Sequence, residues 1–118
     1  MRLSDDRSEL PPLVNDLAPL MEAEIERARR LDRPVALLSV PMEAVPPGGP
    51  TARAYDMVAV SPEDRCFVML LPETTRFQAR RMALRLSVHG EDASRVATFP
   101  DDAASFADLL ARVARADA

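Results

Sequence analysis

Between residues 15 and 31 the apolar side chains recur every three or four positions, which is the spacing of one face of a helix. Glutamates come early in this segment and arginines come late, an order that the helix dipole favours. Pro19 falls inside the segment, so we expect the helix to begin or kink there. Residues 1–18 are therefore assigned to an N-terminal arm. The predicted inward face consists of Leu17, Met21, Ile25, Ala28 and Leu31.

Three short apolar segments follow and predict β-strands at residues 35–40, 55–60 and 66–71. The segment 66–71 is apolar on both faces, so we expect it to lie inside a sheet that is covered on both sides. Residues 41–52 are rich in proline and glycine and predict a loop, whereas 61–64 predict a tight turn that joins the second and third strands.

The last third of the chain predicts helix, strand and helix. Thr74 or Thr75 can cap a helix that runs to about Leu86, residues 94–99 predict a strand, and Pro100 leads into the final helix. The inward positions of the two helices are predicted to be Phe77, Met82, Ala83 and Leu86, followed by Phe106, Leu109, Leu110 and Val113. The order of elements predicts a mixed α/β sandwich.

Composition excludes several classes of function. The chain has 118 residues, the size of one domain, and no apolar run long enough to cross a bilayer. A single cysteine, Cys66, and a single histidine, His89, exclude a disulfide framework and a histidine-based zinc site. We assign His89 to a surface turn. The three glycines provide no phosphate-binding loop. The single cysteine fits a reducing compartment, so we expect a cytoplasmic protein, and the lack of a long apolar run predicts no membrane contact. The net charge of −4 predicts that the chain does not bind nucleic acid.

All fifteen basic residues are arginine. A contact between a charged side chain of this protein and an anion must therefore be made by a guanidinium group, which presents its N–H donors as a planar fork.

Three segments in order resemble the GGDEF family, the diguanylate cyclases of bacterial second-messenger signalling. They are EIERARRLDRPVALL at 24–38, FVMLLPET at 67–74 with the helix after it, and VATFPDDA at 96–103. The resemblance implies a nucleotidyl-cyclase-like (ferredoxin-like) α/β sheet with flanking helices over residues 19–118. The family's two helices between the first and second strands have no counterpart here, because the loop stands in their place.

The same alignment implies that the domain is catalytically inactive and holds no metal or cofactor. The family's signature pentapeptide falls on residues 63–67, where Glu63 and Asp64 replace both glycines and Arg65 or Cys66 replaces the metal-binding acid. The metal-binding aspartate of the first strand falls on Pro41. Two-metal phosphoryl transfer needs carboxylates at these positions. The acidic residues Glu43, Glu63 and Asp64 allow two interpretations. They are solvated residues of a loop and a turn, or they form a displaced metal site.

The family's inhibitory site for cyclic di-GMP has a counterpart in the sequence. Its RxxD motif matches Arg53-Ala54-Tyr55-Asp56, and its helix arginine matches Arg85. A guanidinium can donate to guanine O6 and N7, and a carboxylate can accept from N1 and N2. The sequence thus predicts a cyclic di-GMP receptor site at Arg53, Asp56 and Arg85. A structural remnant is the alternative, since Arg2–Asp5 and Arg29–Asp32 repeat the tetrapeptide by chance.

A protein-interaction module is the alternative function. Loss of two helices is expected to expose part of one sheet face, and a strand that is apolar on both faces requires a cover. The cover would be the arm at 8–18, a second copy of the chain, or another protein. On this interpretation the chain forms a dimer or binds a protein partner through the exposed face.

Overall fold

The elements that these patterns predict are present in the computed structural model, which describes residues 11–46, 49–86 and 94–114. His89 lies outside these ranges. Three helices and four strands form a compact α/β fold in the described residues. In chain order they are α1 (Val14–Leu31), β1 (Val35–Pro41), a 3₁₀ turn (Met42–Ala44), β2 (Met57–Ser61), β3 (Cys66–Pro72), α2 (Arg76–Leu86), β4 (Arg95–Phe99) and α3 (Phe106–Val113).

The four strands form one sheet in the order β2-β3-β1-β4, and every neighbouring pair is antiparallel. Strand β1 is central, with Leu37 opposite Leu70 of β3 and Ala97 of β4. All seven residues of β1 are buried, which explains why the strand is apolar apart from Ser39.

Helices cover both faces of the sheet and make two cores. Helices α1 and α3 pack on one face, around Met21, Ile25, Leu70, Phe106 and Leu109. Helix α2 packs on the other face, where its buried residues meet Leu38, Val40, Met69 and Leu71. No described helix is both long and apolar enough to cross a membrane.

Helix α1 ends at Leu31, as predicted, but it begins before Pro19. It begins at Val14, inside the segment assigned to the arm, and continues through Pro19. Met21, Ile25 and Ala28 are buried as predicted, whereas Leu31 is exposed. The helix ends there because Asp32 takes a left-handed backbone conformation and turns the chain toward β1.

The connection between β1 and β2 has to cross the sheet. Both strands are antiparallel to β3, so they are parallel to each other, and such a pair needs a crossover rather than a hairpin. Residues 42–46 and 49–56 are the described parts of this crossover, and Ala44 and Val45 pack against the core on the α2 face. Apart from the 3₁₀ turn, the described part of this connection contains no helix.

The expectation that part of one sheet face is exposed is wrong for most of the described face, because the crossover and α2 cover it. Met69 and Leu71 of β3, which point toward α2, are fully buried in the single chain. In the described residues of β2 and β3, only the outer corner on this face is partly exposed, at Val58, Val60 and Phe67. We call these three residues the β2 corner. Pro12 and Leu13 of the arm lie at the edge of the sheet, where the Val60 N–H donates to the Pro12 carbonyl oxygen (2.8 Å). Val14, Leu17 and Ala18 belong to α1 and pack on the opposite face.

Asp102 fastens the segment that follows β4. Its carboxylate accepts hydrogen bonds from the Thr98 N–H (2.8 Å) and the Thr98 hydroxyl (3.3 Å), and it forms an ion pair with Arg76. Partial burial raises the pKa of the Asp102 carboxyl, but the bonds from Thr98 and Arg76 and the charge of Arg76 outweigh it. The pKa therefore lies below its ordinary value.

We expect this carboxylate to make folding sensitive to acid. Because its folded-state pKa is lowered, its stabilisation is present above the unfolded value of about 3.9 and is lost as the pH falls through the folded value. Urea unfolding at about pH 6 and about pH 3 measures the loss, which should be smaller in Asp102→Asn than in the unmodified chain. Asp101→Asn, which changes the exposed neighbouring carboxylate, is the control. An equal acid dependence in all three proteins would contradict the prediction.

Candidate functional site

A groove lies between the end of the crossover and helix α2. It has a volume of about 700 Å³, within the range typical of small-molecule sites. Its walls come from one segment of the crossover, from the residue that precedes the helix cap, and from one face of α2. They are Thr51, Ala52, Arg53, Thr74, Phe77, Gln78, Arg81, Met82, Arg85 and Leu86. We call it the arginine groove.

The start of α2 is fixed by a reciprocal cap. The Thr75 hydroxyl accepts from the Gln78 N–H (3.2 Å), and the Gln78 side-chain oxygen accepts from the Thr75 N–H (2.9 Å). This capping box satisfies two donors of the first turn. Thr75, and not Thr74, is therefore the N-cap of α2. The position of the cap determines which face of the helix is turned toward the groove.

Arg53 and Asp56 form a closed ion pair across a turn. The Arg53 Nε donates to Oδ2 of Asp56 (2.9 Å) and Nη2 donates to Oδ1 (2.9 Å), while the Arg53 backbone N–H donates to Oδ2 (2.8 Å). The Asp56 side chain is completely buried, and that of Arg53 is 40% exposed. Hydrogen bonding to Asp56 is the main reason that the pKa of the Arg53 guanidinium is raised.

Thr74 joins this pair to the sheet. Its hydroxyl donates to the Pro72 carbonyl oxygen (2.8 Å) and accepts from the Arg53 Nη2 (2.9 Å). The guanidinium carbon of Arg53 also lies 4.8 Å from the centre of the Tyr55 ring, within cation–π range. Arg53 is therefore held in one orientation at the edge of the groove, with only Nη1 not engaged by Asp56 or Thr74.

The structure brings together two of the three predicted site residues. Arg53 and Arg85 both line the arginine groove, although they come from different elements. Asp56 is adjacent but does not line it, because both of its oxygens point at Arg53. The carboxylate that we expected to accept from guanine therefore orients Arg53 in this structure.

Sequence reasoning missed Arg81 and placed Phe77 wrongly. Phe77 was predicted to point inward, but its side chain is 69% exposed, and Ala79 takes the inward position. Phe77 lies about 200° around the helix from Ala79, at about 100° per residue. Its spacing to Arg81 and Arg85, four and eight residues further on, places all three on one face. That spacing was the signal.

The described lining is positively charged. It contains three arginines and neither aspartate nor glutamate. Arg81 and Arg85 form no ion pair with any residue of the described ranges, and helix α2 itself contains no acidic residue. The Arg81 guanidinium carbon lies 5.8 Å from the centre of the Phe77 ring. Such a surface is suited to an anion that carries a flat apolar part.

The turn at residues 63–67, which the sequence resemblance aligns with the GGDEF signature, does not fit a two-cation centre. Pro41 lies opposite Cys66, whose thiol is buried and donates to the Asp64 carbonyl oxygen (3.1 Å). The Asp64 carboxylate accepts from the Ser61 hydroxyl (3.3 Å). Among the described residues, no three histidine, cysteine, aspartate or glutamate side chains are close enough to hold one ion.

The copy of the RxxD tetrapeptide at Arg29–Asp32 has a structural role. Arg29 pairs with Glu26 and donates to the Ala104 carbonyl oxygen (2.7 Å), and it lies over the ring of Phe99. It therefore links α1 to the segment before α3. The copy at Arg2–Asp5 lies outside the described residues.

Comparison with protein-family models found none that matches the chain, and comparison with curated proteins found no match either. The resemblance to the GGDEF family stays a prediction from the sequence.

Proposed function

We propose that the chain is a catalytically inactive GGDEF-like domain that binds cyclic di-GMP in the arginine groove and acts as a receptor for it. The observation that carries the proposal is the meeting of Arg53 and Arg85 in one groove that contains no described acidic residue. The order of strand, crossover, hairpin, helix and strand supports it, because a ferredoxin-like domain without its first crossover helix has this order.

In this proposal each arginine has a separate task. Arg81 and Arg85 have no ion-pair partner in the described ranges and contact the two phosphates of the ligand. Arg53 approaches from the crossover and donates through Nη1. Asp56 positions Arg53 and does not touch the ligand.

Calorimetric titration of the purified chain with cyclic di-GMP tests the proposal. We expect saturable binding at micromolar ligand. Absence of measurable heat at high micromolar ligand, together with unchanged amide NMR signals from α2, would refute it.

The same proposal predicts that the chain has no cyclase activity. Incubation with GTP and Mg²⁺ or Mn²⁺ should yield no cyclic dinucleotide, because Pro41 and Cys66 supply no carboxylate where the family holds its cations. Chromatography of the nucleotides is the measurement. Metal-dependent product formation that disappears in Glu43→Ala or Asp64→Ala would contradict the prediction and indicate a displaced metal site.

A protein-interaction module is the second candidate, and the partly exposed β2 corner favours it. Burial of the rest of this sheet face within one chain leaves the corner as the described part of the face that a second copy or a partner can contact. Light scattering distinguishes the candidates. A dimer that Phe67→Glu converts to a monomer, in a chain that binds no cyclic di-GMP, would favour the interaction module.

A further inference from the structure

We propose that the arginine groove binds cyclic dinucleotides by their phosphates and by stacking on one base, and that it does not distinguish guanine from adenine. The inference rests on the function proposed above and adds the ligand class that the site accepts. Three features of the groove carry it: the engaged fork of Arg53, the lack of a described carboxylate in the lining, and the exposed ring of Phe77.

Arg53 has no two-nitrogen fork left for a base. Its Nε and one N–H of Nη2 donate to Asp56, and the other N–H of Nη2 donates to Thr74. Reading of guanine by an arginine needs donors on two nitrogens, aimed at O6 and N7. The donors not used by Asp56 and Thr74 both belong to Nη1, and a single nitrogen is suited to a phosphate oxygen.

Nothing in the described lining is a charged acceptor for the N1 and N2 donors of guanine. Asp56 is completely buried, and both of its oxygens accept from Arg53. The Gln78 side-chain oxygen already accepts from the Thr75 N–H. Without such an acceptor the groove makes no charged contact with N1 and N2 of guanine that adenine would lose.

Phe77 supplies the contact with the base. Its ring is 69% exposed and lines the groove, and the guanidinium of Arg81 lies beside it. Stacking on an aromatic ring accepts every base, because each base has a π-face. Phosphate contacts from Arg81 and Arg85 likewise carry no information about the base.

Titration of the full chain with cyclic di-GMP and with its adenine analogue, cyclic di-AMP, tests the inference. We expect the two dissociation constants to differ by less than about tenfold. One bidentate contact with a base can discriminate against the wrong base by up to about 150-fold. Phe77→Ala should weaken both ligands by about 5- to 150-fold, and Phe77→Tyr should retain both. Leu84→Ala is the matched control, since Leu84 is exposed on the same helix and does not line the groove.

The other outcomes of these titrations refute different parts of the proposal. A preference for cyclic di-GMP of about tenfold or more overturns the inference and leaves the proposed receptor function standing. If the chain binds neither ligand, both the inference and the proposed receptor function are refuted. Equal effects of Phe77→Ala and Leu84→Ala would remove the stacking role.

Discussion

We expect a chain that carries both Arg81→Ala and Arg85→Ala to bind cyclic di-GMP with an affinity at least about 100-fold lower than that of the unmodified chain. A hydrogen bond to a charged group contributes about 1.5–3 kcal/mol, so two lost phosphate contacts amount to about 3–6 kcal/mol. Both side chains line the groove and have no ion-pair partner in the described ranges, so their removal leaves no buried charge unpaired there. Calorimetry measures the affinity, and urea unfolding verifies that the fold is retained.

The control is the pair Arg80→Ala and Arg112→Ala in one chain. It makes the same change in net charge, and both residues are exposed and lie outside the arginine groove. If the control weakens binding as much as the groove variant does, the ligand is attracted by overall charge and not held at this site. Retention of affinity in the groove variant would place the ligand elsewhere.

Asp56→Ala should destabilise the fold by about 1–3 kcal/mol and weaken ligand binding as well. Three donors of Arg53 lose their acceptor, and bonds of this kind stabilise a protein most when the acceptor is charged and shielded from water. The value is below that for breaking a fully buried pair, because the Arg53 side chain is 40% exposed. Urea unfolding at neutral pH gives the loss in the free energy of unfolding.

Asp64→Ala provides the comparison, since the Asp64 carboxylate accepts only one described hydrogen bond, from Ser61. Its removal should cost less than about 1 kcal/mol. In the double variant Arg53→Ala/Asp56→Ala the cost should be smaller than the sum of the single changes, because the two residues interact directly. A loss of less than about 0.5 kcal/mol in Asp56→Ala would show that the pair is not a structural element.

Most of the fold could be predicted from the pattern of apolar residues. Strand β3 is apolar on both faces because helices or the crossover cover both sides of it, and that requirement is visible in the sequence itself. Pro19 favours a start or kink of α1 at that residue, whereas the helix begins at Val14 and continues through Pro19. What covers the sheet could not be predicted, because the position of the crossover depends on the antiparallel pairing of β1, β2 and β3, which are distant in sequence.

The site was only partly predictable. The sequence placed Arg53 and Arg85 at one site, and the structure has them in one groove. The spacing of Arg53 and Asp56 fits both a ligand site and a turn closed by its own ion pair. Choosing between them requires the position of Thr74, which belongs to another element and completes the hydrogen bonds of Arg53. The angular position of Phe77 on α2, on the same face as Arg81 and Arg85, indicates an exposed ring, whereas its hydrophobicity favours the core.

The contact of Tyr55 with Arg53 gives the protein an optical reporter of its own. The chain has one tyrosine and no tryptophan, so its tyrosine emission arises from a single ring. That ring lies 4.8 Å from the guanidinium that borders the groove. Ligand binding beside Arg53 should change the surroundings of this ring and hence its emission lifetime, a quantity that light absorption by a nucleotide does not distort. Association rates can then be followed on the unlabelled chain.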